Sequence, residues 1–366
     1  MKIRLEGTDK QLQIIRNLGS RDEQVSKAAA RSLAGFISNV AQEYIRQASL
    51  AQLLFEDLPY SDEEYPTIPL DLWHSEGEDQ IEVWSQTMAG GLPSSEVRGF
   101  QEIPVITYNL SSAADCQKSY LRRGLQGLMV VAKMIERMTQ TVLVKQEKNA
   151  WAVVTKTLAE ARTNGADHII ASEAESVFGM SDISALITLG QRVNSSFANG
   201  TPANGSTGPT HIFASPEIQQ QIRGFVFNPA NSTGNQSTGP VALPEQLRQG
   251  IYNAAGAVDL FGIKVVTMNE LGTSRKYNTL FDGFAGSATI AHGSSTFTDA
   301  DDEIVIGYDA NRGGGYRPIL TETGGGNLIV RPDNQYFERT DKVGYYTSQD
   351  EGRVWVDGRS LFGIVV

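Results

Sequence analysis

The sequence predicts an α+β protein in which a long helix joins an extended N-terminal part to a strand-rich C-terminal part. From residue 118 to residue 161 no proline occurs, and apolar residues recur at three- and four-residue steps, the spacing of one buried helix face. The final third is rich in glycine and contains short β-branched runs separated by turn residues. A chain of 366 residues can bury a substantial core, and we expect two or three lobes.

The N-terminal part is predicted to be an arm that contains one helix. Ser20 followed by Glu23 has the spacing of a capping box, and apolar residues continue the helical spacing from Val25 to Ile45. Residues 59 to 79 hold three prolines and many carboxylates, so this stretch is expected to be extended.

Residues 79–117 predict an extended loop built on a β-hairpin. Residues 79–88 alternate with period two, and residues 100–110 form a second β-rich run in which Pro104 marks an edge or a bulge. A two-stranded ribbon is marginal in water and needs a surface to lie on. Two interpretations stay open: a hairpin packed on its own domain, or an arm that contacts a neighbouring molecule. The predicted contact residues are Trp84, Met88, Arg98 and Tyr108.

The helix from Lys118 combines the apolar stripe with a basic opposite face. Residues 118–162 hold nine basic and three acidic side chains, whereas residues 51–117 hold one arginine and 13 acidic side chains. A break is expected between Thr139 and Val144, where β-branched residues cluster. The basic face is either simply solvated or lies against a polyanion such as packaged nucleic acid. The residues predicted to face nucleic acid are Arg122, Arg123, Lys133 and Arg137.

The C-terminal half predicts alternating short strands and helices. Ser215 is placed to cap a helix that has Pro216 at its first position. A strand is expected after Leu260, and a strand pair is expected around Gly283. The final run, LFGIVV, is apolar and should be buried in a sheet.

No catalytic, metal or cofactor site is predicted. The four histidines share no metal-ligand spacing, and the single cysteine, Cys116, excludes an intramolecular disulfide. The acidic run from Asp299 to Glu303 lacks the spacing of a calcium loop. The chain has no run of about 18 apolar residues and no signal peptide, so we expect no membrane span and synthesis in the cytoplasm.

The order of these elements resembles the major capsid proteins of tailed bacteriophages, whose fold is named after phage Hong Kong 97 and is shared with encapsulin shells. Besides the arm, loop and long helix, three segments are similar to the family's strands and short helix: HIFASPEIQQQIRG from His211, LFGIKVVTMNELG from Leu260, and the tail from Lys342. The resemblance implies an N-terminal arm at 1–78, an extended loop at 79–117, a peripheral domain with its spine helix at 118–207, an axial domain at 208–325, and closing peripheral strands at 326–366.

The resemblance implies a structural protein without enzymatic activity. Such a subunit forms hexamers and pentamers of an icosahedral head around double-stranded DNA, bound without sequence preference, in a virion capsid assembled in the host cytoplasm. Separate scaffolding and portal proteins and an optional cement protein are the expected partners, or else the chain is a mature form that has lost a leading segment. Residues 79–117 contain no lysine, so a covalent cross-link through a loop lysine is not expected. The alternatives are an encapsulin-like nanocompartment shell and a β-rich surface adhesin, which would need an export signal.

Overall fold

The computed structural model describes residues 9–20, 22–61, 65–70, 101–122, 125–163, 168–173, 176–193, 208–224, 257–260, 262–285, 291–292, 295–321, 328–333 and 342–366. The helices are α1 (Asp9–Leu18), α2 (Glu23–Ala48), α3 (Lys118–Leu121), α4 (Leu125–Thr163), α5 (Met180–Val193), α6 (Pro216–Gly224) and α7 (Lys276–Ala285), with short 3-10 turns at Ala51–Leu53 and Gly358–Ser360. The strands are β1 (Phe55–Tyr60), β2 (Thr67–Leu70), β3 (Gln101–Pro104), β4 (Thr107–Gln117), β5 (Ile169–Ala171), β6 (His211–Ala214), β7 (Ala257–Leu260), β8 (Ile263–Thr267), β9 (Ala291–His292), β10 (Ser295–Thr296), β11 (Ile304–Tyr308), β12 (Gly315–Leu320), β13 (Ile329–Asp333), β14 (Lys342–Gly352), β15 (Val354–Trp355) and β16 (Leu361–Val365).

The α+β class is confirmed, and the chain divides into two compact units. The first comprises residues 1–67, 104–150 and 316–354, and the second comprises residues 68–103, 151–315 and 355–366. This division differs from the predicted domains, which placed residues 326–366 together. The last strand explains the difference, because β16 pairs with β5 and β11 of the second unit.

The first unit is built on the long antiparallel pair of β4 and β14. The two strands pair along 11 residues without interruption, from Thr107 opposite Gly352 to Gln117 opposite Lys342. On the other side of β14 lie β13 and β12, and β1 pairs with β12. Residues 107–117, predicted as the end of the extended loop, therefore form a strand in the sheet of the first unit.

Helix α4 covers this sheet with its apolar stripe. The core cluster of the first unit contains residues of α1, α2, α3, α4, β13 and β14. Its members are Leu18, Ala29, Ala30, Leu33, Ala34, Leu121, Val131, Met134, Ile135, Met138, Val330, Val343 and Tyr345. Of the residues predicted to form the N-terminal arm, Leu18 of α1 and residues 29–34 of α2 therefore pack into the core of the first unit. The reason is that α2 continues the helical spacing of small apolar side chains that fit against α4 and the sheet.

The predicted break between Thr139 and Val144 is wrong, because α4 is continuous over 39 residues. Thr139 and Val142 are buried, and their packing outweighs the weak helix propensity of β-branched residues. The hydroxyl of Thr141 donates to the carbonyl of Arg137 at 2.8 Å, one turn back. Helix α3 ends at Leu121 and α4 begins at Leu125, and a Cβ at Gly127 in the first turn of α4 would meet the Leu121 carbonyl oxygen at 2.8 Å.

The second unit contains a mixed sheet in the order β5-β16-β11-β6-β8-β7. Strand β16 is antiparallel to β11 and parallel to β5, and the side chains of Leu361, Phe362, Ile364 and Val365 are fully buried. The expected burial of the final run is thereby confirmed. The predicted cap of α6 is confirmed too, since the Ser215 hydroxyl accepts from the backbone N–H of Ile218 at 3.1 Å.

The strand pair predicted around Gly283 is wrong, because residues 276–285 form α7. Tyr277, Asn278 and Phe281 are buried at the spacing of one helix face. The short run of apolar residues around Gly283 fits a strand pattern as well, so this spacing was not recognised in the sequence. The Asn278 amide donates to the carbonyl of Asp302 at 2.8 Å and accepts from the N–H of Ile304 at 3.2 Å. These bonds fix α7 against the start of β11.

Replacing Trp151 with alanine should destabilise the second unit by about 3–5 kcal/mol, because a large buried side chain leaves a cavity. Trp151 is fully buried and contacts Phe213 edge-on at 5.1 Å between ring centroids and Tyr277 at 5.6 Å. Denaturant unfolding measures the loss. Lys156→Ala on the same helix is the control, since Lys156 is exposed and its ion pair with Glu160 is a surface pair; equal losses for both variants would contradict the assignment.

Candidate functional site

Within the first unit, the face of α4 opposite its buried stripe is exposed and basic. Exposed residues recur along this face at the helical spacing. They are Met129, Lys133, Arg137, Gln140, Thr141, Val144, Lys145 and Lys148. From Lys133 to Lys148 the four cations span about 22 Å of helix at about 1.5 Å per residue. We call these four residues the α4 cation row.

The cation row has no counter-ions among the residues that the structure describes. The two acidic side chains in this part of α4 are half-buried and otherwise engaged. The Glu147 carboxylate accepts from the Ser49 hydroxyl at 2.6 Å and from the backbone N–H of Ala51 at 3.1 Å, and Glu136 accepts from Gln140 at 3.5 Å. Against these two carboxylates the four cations leave a net charge of +2 on residues 133–148.

The structure brings together two of the four residues predicted to face nucleic acid. Lys133 and Arg137 lie on the cation row, one helical turn apart. Arg122 lies in the turn after α3, where its Nε donates to the carbonyl of Gly19 at 3.0 Å, so it also holds the end of α1. Arg123 lies outside the described residues. Whether any of them faces DNA stays a prediction.

Sequence reasoning missed Lys145 as a member of this face. At about 100° per residue, Lys145 falls about 120° from Lys133, close to the edge of the buried stripe. The structure nevertheless leaves Lys145 exposed, which the angular position alone does not predict.

Of the residues predicted to contact a neighbouring molecule, only Tyr108 lies in the described part. It is half-buried in β4, and its hydroxyl donates to the Glu351 carboxylate at 3.2 Å. Burial, and next the negative charge of Glu351, raise the pKa of the Tyr108 hydroxyl. Trp84, Met88 and Arg98 lie outside the described residues, so their role at an interface stays a prediction.

A buried charge cluster joins α4 to the sheet of the first unit. Glu351 is fully buried, and its Oε2 accepts from Arg317 Nε at 3.0 Å and Nη2 at 2.9 Å, and from the Gln146 amide at 3.2 Å. Arg353 lies 3.5 Å from the other carboxylate oxygen, and its guanidinium stacks 5.1 Å from the Phe55 ring centroid. No sequence signal predicts this cluster, because Gln146 and Arg317 lie 205 and 34 residues from Glu351.

Other reactive groups of the described residues are engaged in structure. No group of three histidine, cysteine or acidic residues there could hold a metal ion. In the acidic run, Asp302 accepts from the N–H of Thr298 at 3.0 Å and Asp299 accepts from the Thr279 hydroxyl at 2.8 Å, so these carboxylates cap a turn. Burial raises the pKa of the Cys116 thiol to about 11, which leaves little reactive thiolate. No helix in the described ranges is long and apolar enough to span a membrane.

Comparison with known proteins finds similarity among solved structures. No protein-family model matches the chain, and no curated protein sequence matches it. The capsid of cyanophage P-SCSP1u matches with a TM-score of 0.49 and 11% identity over 87% of this chain and 88% of that one. The capsid of cyanophage Pam1 matches with a TM-score of 0.49 and 11% identity over 85% and 88%. The SrpI encapsulin complex of Synechococcus elongatus PCC 7942 matches with a TM-score of 0.40 and 9% identity over 87% and 88%.

The solved structures that match thus include two phage capsids and one encapsulin. The encapsulin is the more distant of the three. All three TM-scores lie below 0.5, and the identities are near one residue in ten.

Replacing Arg317 with methionine should destabilise the first unit by about 3–5 kcal/mol, because Glu351 would keep a buried charge without its best partner. Urea unfolding of the single variant measures this loss. In the double variant Arg317→Met/Glu351→Gln the buried carboxylate charge is gone as well and only the Arg353 guanidinium stays charged, so part of the stability should return. Additive losses in the double variant would contradict the pairing.

Proposed function

We propose that the chain is the subunit of a closed protein shell, a major capsid protein of the tailed-phage type that assembles into an icosahedral head around double-stranded DNA. The observation that carries the proposal is the α4 cation row, four exposed cations without ion-pair partners among the described residues, on a helix packed against a sheet. Contacts with DNA phosphates need positive charge and no base reading, so a helix face of this kind suits DNA of any sequence.

The charge of the row supports weak and reversible DNA contact. If each of the four cations neutralises one phosphate, the affinity should fall about a hundredfold between 50 mM and 200 mM salt. The wall of a shell needs no high-affinity DNA site, because the enclosed DNA is already concentrated. Weak contacts also allow the wall to release the DNA later. Lys133 and Arg137 are the residues we propose for this contact, with Arg122 and Arg123 at the start of the same segment.

The second part of the proposal concerns contact between copies of the chain. Strands β2 and β3 form a two-stranded sheet that shares no strand with the larger sheets of the described residues. A ribbon of this size has too little core to be stable alone. Ile68 of β2 is buried within the single chain, whereas Glu102 and Ile103 of β3 are exposed, which supports a partner surface for β3 on another copy. Trp84, Met88 and Arg98, with Tyr108 near the base, are the proposed contact residues.

The complete proposal is a structural rather than enzymatic subunit of a virion capsid, assembled in the host cytoplasm as hexamers and pentamers. The absence of lysine from residues 79–117 supports a shell held by noncovalent contacts. Separate scaffolding and portal proteins, and optionally a cement protein, would complete the head. The cation row favours nucleic acid over the protein cargo of a nanocompartment, and analysis of purified particles for nuclease-protected DNA or enclosed protein tests this.

Reversing the charge of Lys133 and Arg137 to glutamate should lower the DNA content of particles more than the yield of empty shells, because only the enclosed polyanion requires the positive charge. Quantification of nuclease-protected DNA per particle and particle counts by electron microscopy measure the two effects. The control is Arg16→Glu/Arg31→Glu, which makes the same charge change on exposed arginines of α1 and α2. An equal fall in DNA and in shells for the α4 variant would contradict the DNA-facing role.

Replacing Trp84 and Met88 with alanine should leave a folded subunit that forms few particles, because large aromatic and flexible apolar side chains dominate protein contacts. Thermal unfolding checks the fold, and size-exclusion chromatography with electron microscopy checks assembly. Normal particle yield from the folded variant would refute the contact.

A further inference from the structure

Strand β4 lies at an open edge of the first unit's sheet, as far as the described residues extend. Among the described residues, β14 is the only strand that pairs with it. The Ser112 carbonyl faces β14, since it also accepts from the Thr347 hydroxyl at 3.2 Å. In an antiparallel pair alternate residues point their backbone groups to opposite sides, so Asn109, Ser111 and Ala113 direct theirs to the open side.

This edge lacks the features by which proteins protect exposed strands. Open edges are usually short, or carry lysine, proline or a bulge. Strand β4 is 11 residues long, contains no lysine, proline or glycine, and keeps its register with β14 throughout. Its only charge, Asp115, is paired with Lys342 of β14 at 2.9 Å. The edge therefore has the properties of a strand that another strand covers.

The sequence of β4 is compatible with pairing to itself. An antiparallel arrangement centred on Ser112 overlaps all 11 residues, from Thr107 opposite Gln117 onward. It sets Asp115 opposite Asn109, so the two copies bring no like charges together, and it sets Ser111 opposite Ala113, which are small and exposed. Ser112 of one copy then lies opposite Ser112 of the other.

We infer that the β4 edge is an interface between two copies of this chain, in which the two β4 strands pair antiparallel about a two-fold axis at Ser112. The contact continues the sheet of one copy into the sheet of the other and buries the backbone groups that each edge exposes. The inference deepens the proposed shell function, since it names one contact between subunits, and it rests on that function only for the setting in which the dimer occurs.

A cysteine at the two-fold axis tests the contact directly. In a Cys116→Ala background, Ser112→Cys should form a disulfide-linked dimer under mild oxidation. The central pair does not exchange backbone hydrogen bonds, and its Cα atoms are about 4.5 Å apart, within the range that a disulfide spans. The control is Ser119→Cys in the same background, exposed just beyond the strand, which should stay monomeric under the same oxidation.

Two charge variants test the register independently of any cross-link. Ser111→Asp/Ala113→Asp sets like charges opposite each other across the two-fold axis and should abolish the dimer. Ser111→Asp/Ala113→Lys sets opposite charges there and should retain it. Both positions are exposed in the single chain, so thermal unfolding of the dilute chains should not separate the two variants.

Sedimentation velocity measures the association of each variant. A Ser112→Cys dimer together with loss of association in the Asp/Asp variant alone supports the interface. Chains that stay monomeric and form no disulfide, or two charge variants that associate equally, overturn it. Closed particles that form without the disulfide would overturn the β4 contact and leave the shell function standing. Disulfide-linked dimers that never form particles would support the β4 contact and overturn the shell function.

Discussion

The packing of α4 onto the sheet of β4 and β14 is the constraint on which the rest of the first unit depends. Val131, Ile135 and Met138 point into the same core cluster as Val343 and Tyr345. Burial of side chains of this size contributes about 2 kcal/mol each, so the helix cannot rotate about its axis without losing most of its attachment. Because this stripe is fixed, the opposite face is fixed as well, and the cation row follows from the core. The positive surface is thus a consequence of the same helix period that builds the interior.

Besides this apolar packing, polar contacts to Glu351 fix the position of α4 on the sheet. Two charged hydrogen bonds from Arg317 and one bond from Gln146 hold the carboxylate of Glu351, which has no access to water. A buried ion pair adds little net stability, because the desolvation of both charges offsets their attraction. Its contribution lies in position, because the Gln146 amide of α4 donates to the same carboxylate and so ties α4 to one point along β14. A subunit whose surface must match neighbouring copies benefits from a core with a single arrangement.

The sequence predicts features that depend on the spacing of residues within one helix or strand. It does not predict features that depend on contacts between residues far apart in the chain. The long helix, its basic face, the Ser215 cap and the buried C-terminal run depend on local spacing, and the structure contains all of them. The helix α7 was mistaken for strands because Asn278 is held by residues beyond the segment itself. The strand partner of residues 107–117 lies more than 220 residues away, so no local pattern could assign it to the body. The buried cluster around Glu351 escaped prediction for the same reason.

The central claim is that copies of this chain close into a shell around DNA, and imaging of the purified protein before and after nuclease treatment tests it most directly. The account predicts uniform closed particles by electron microscopy, with a protected double-stranded DNA interior when the particles come from cells that package DNA. Single chains that stay monodisperse at every protein and salt concentration, with no particle of any size, would contradict it.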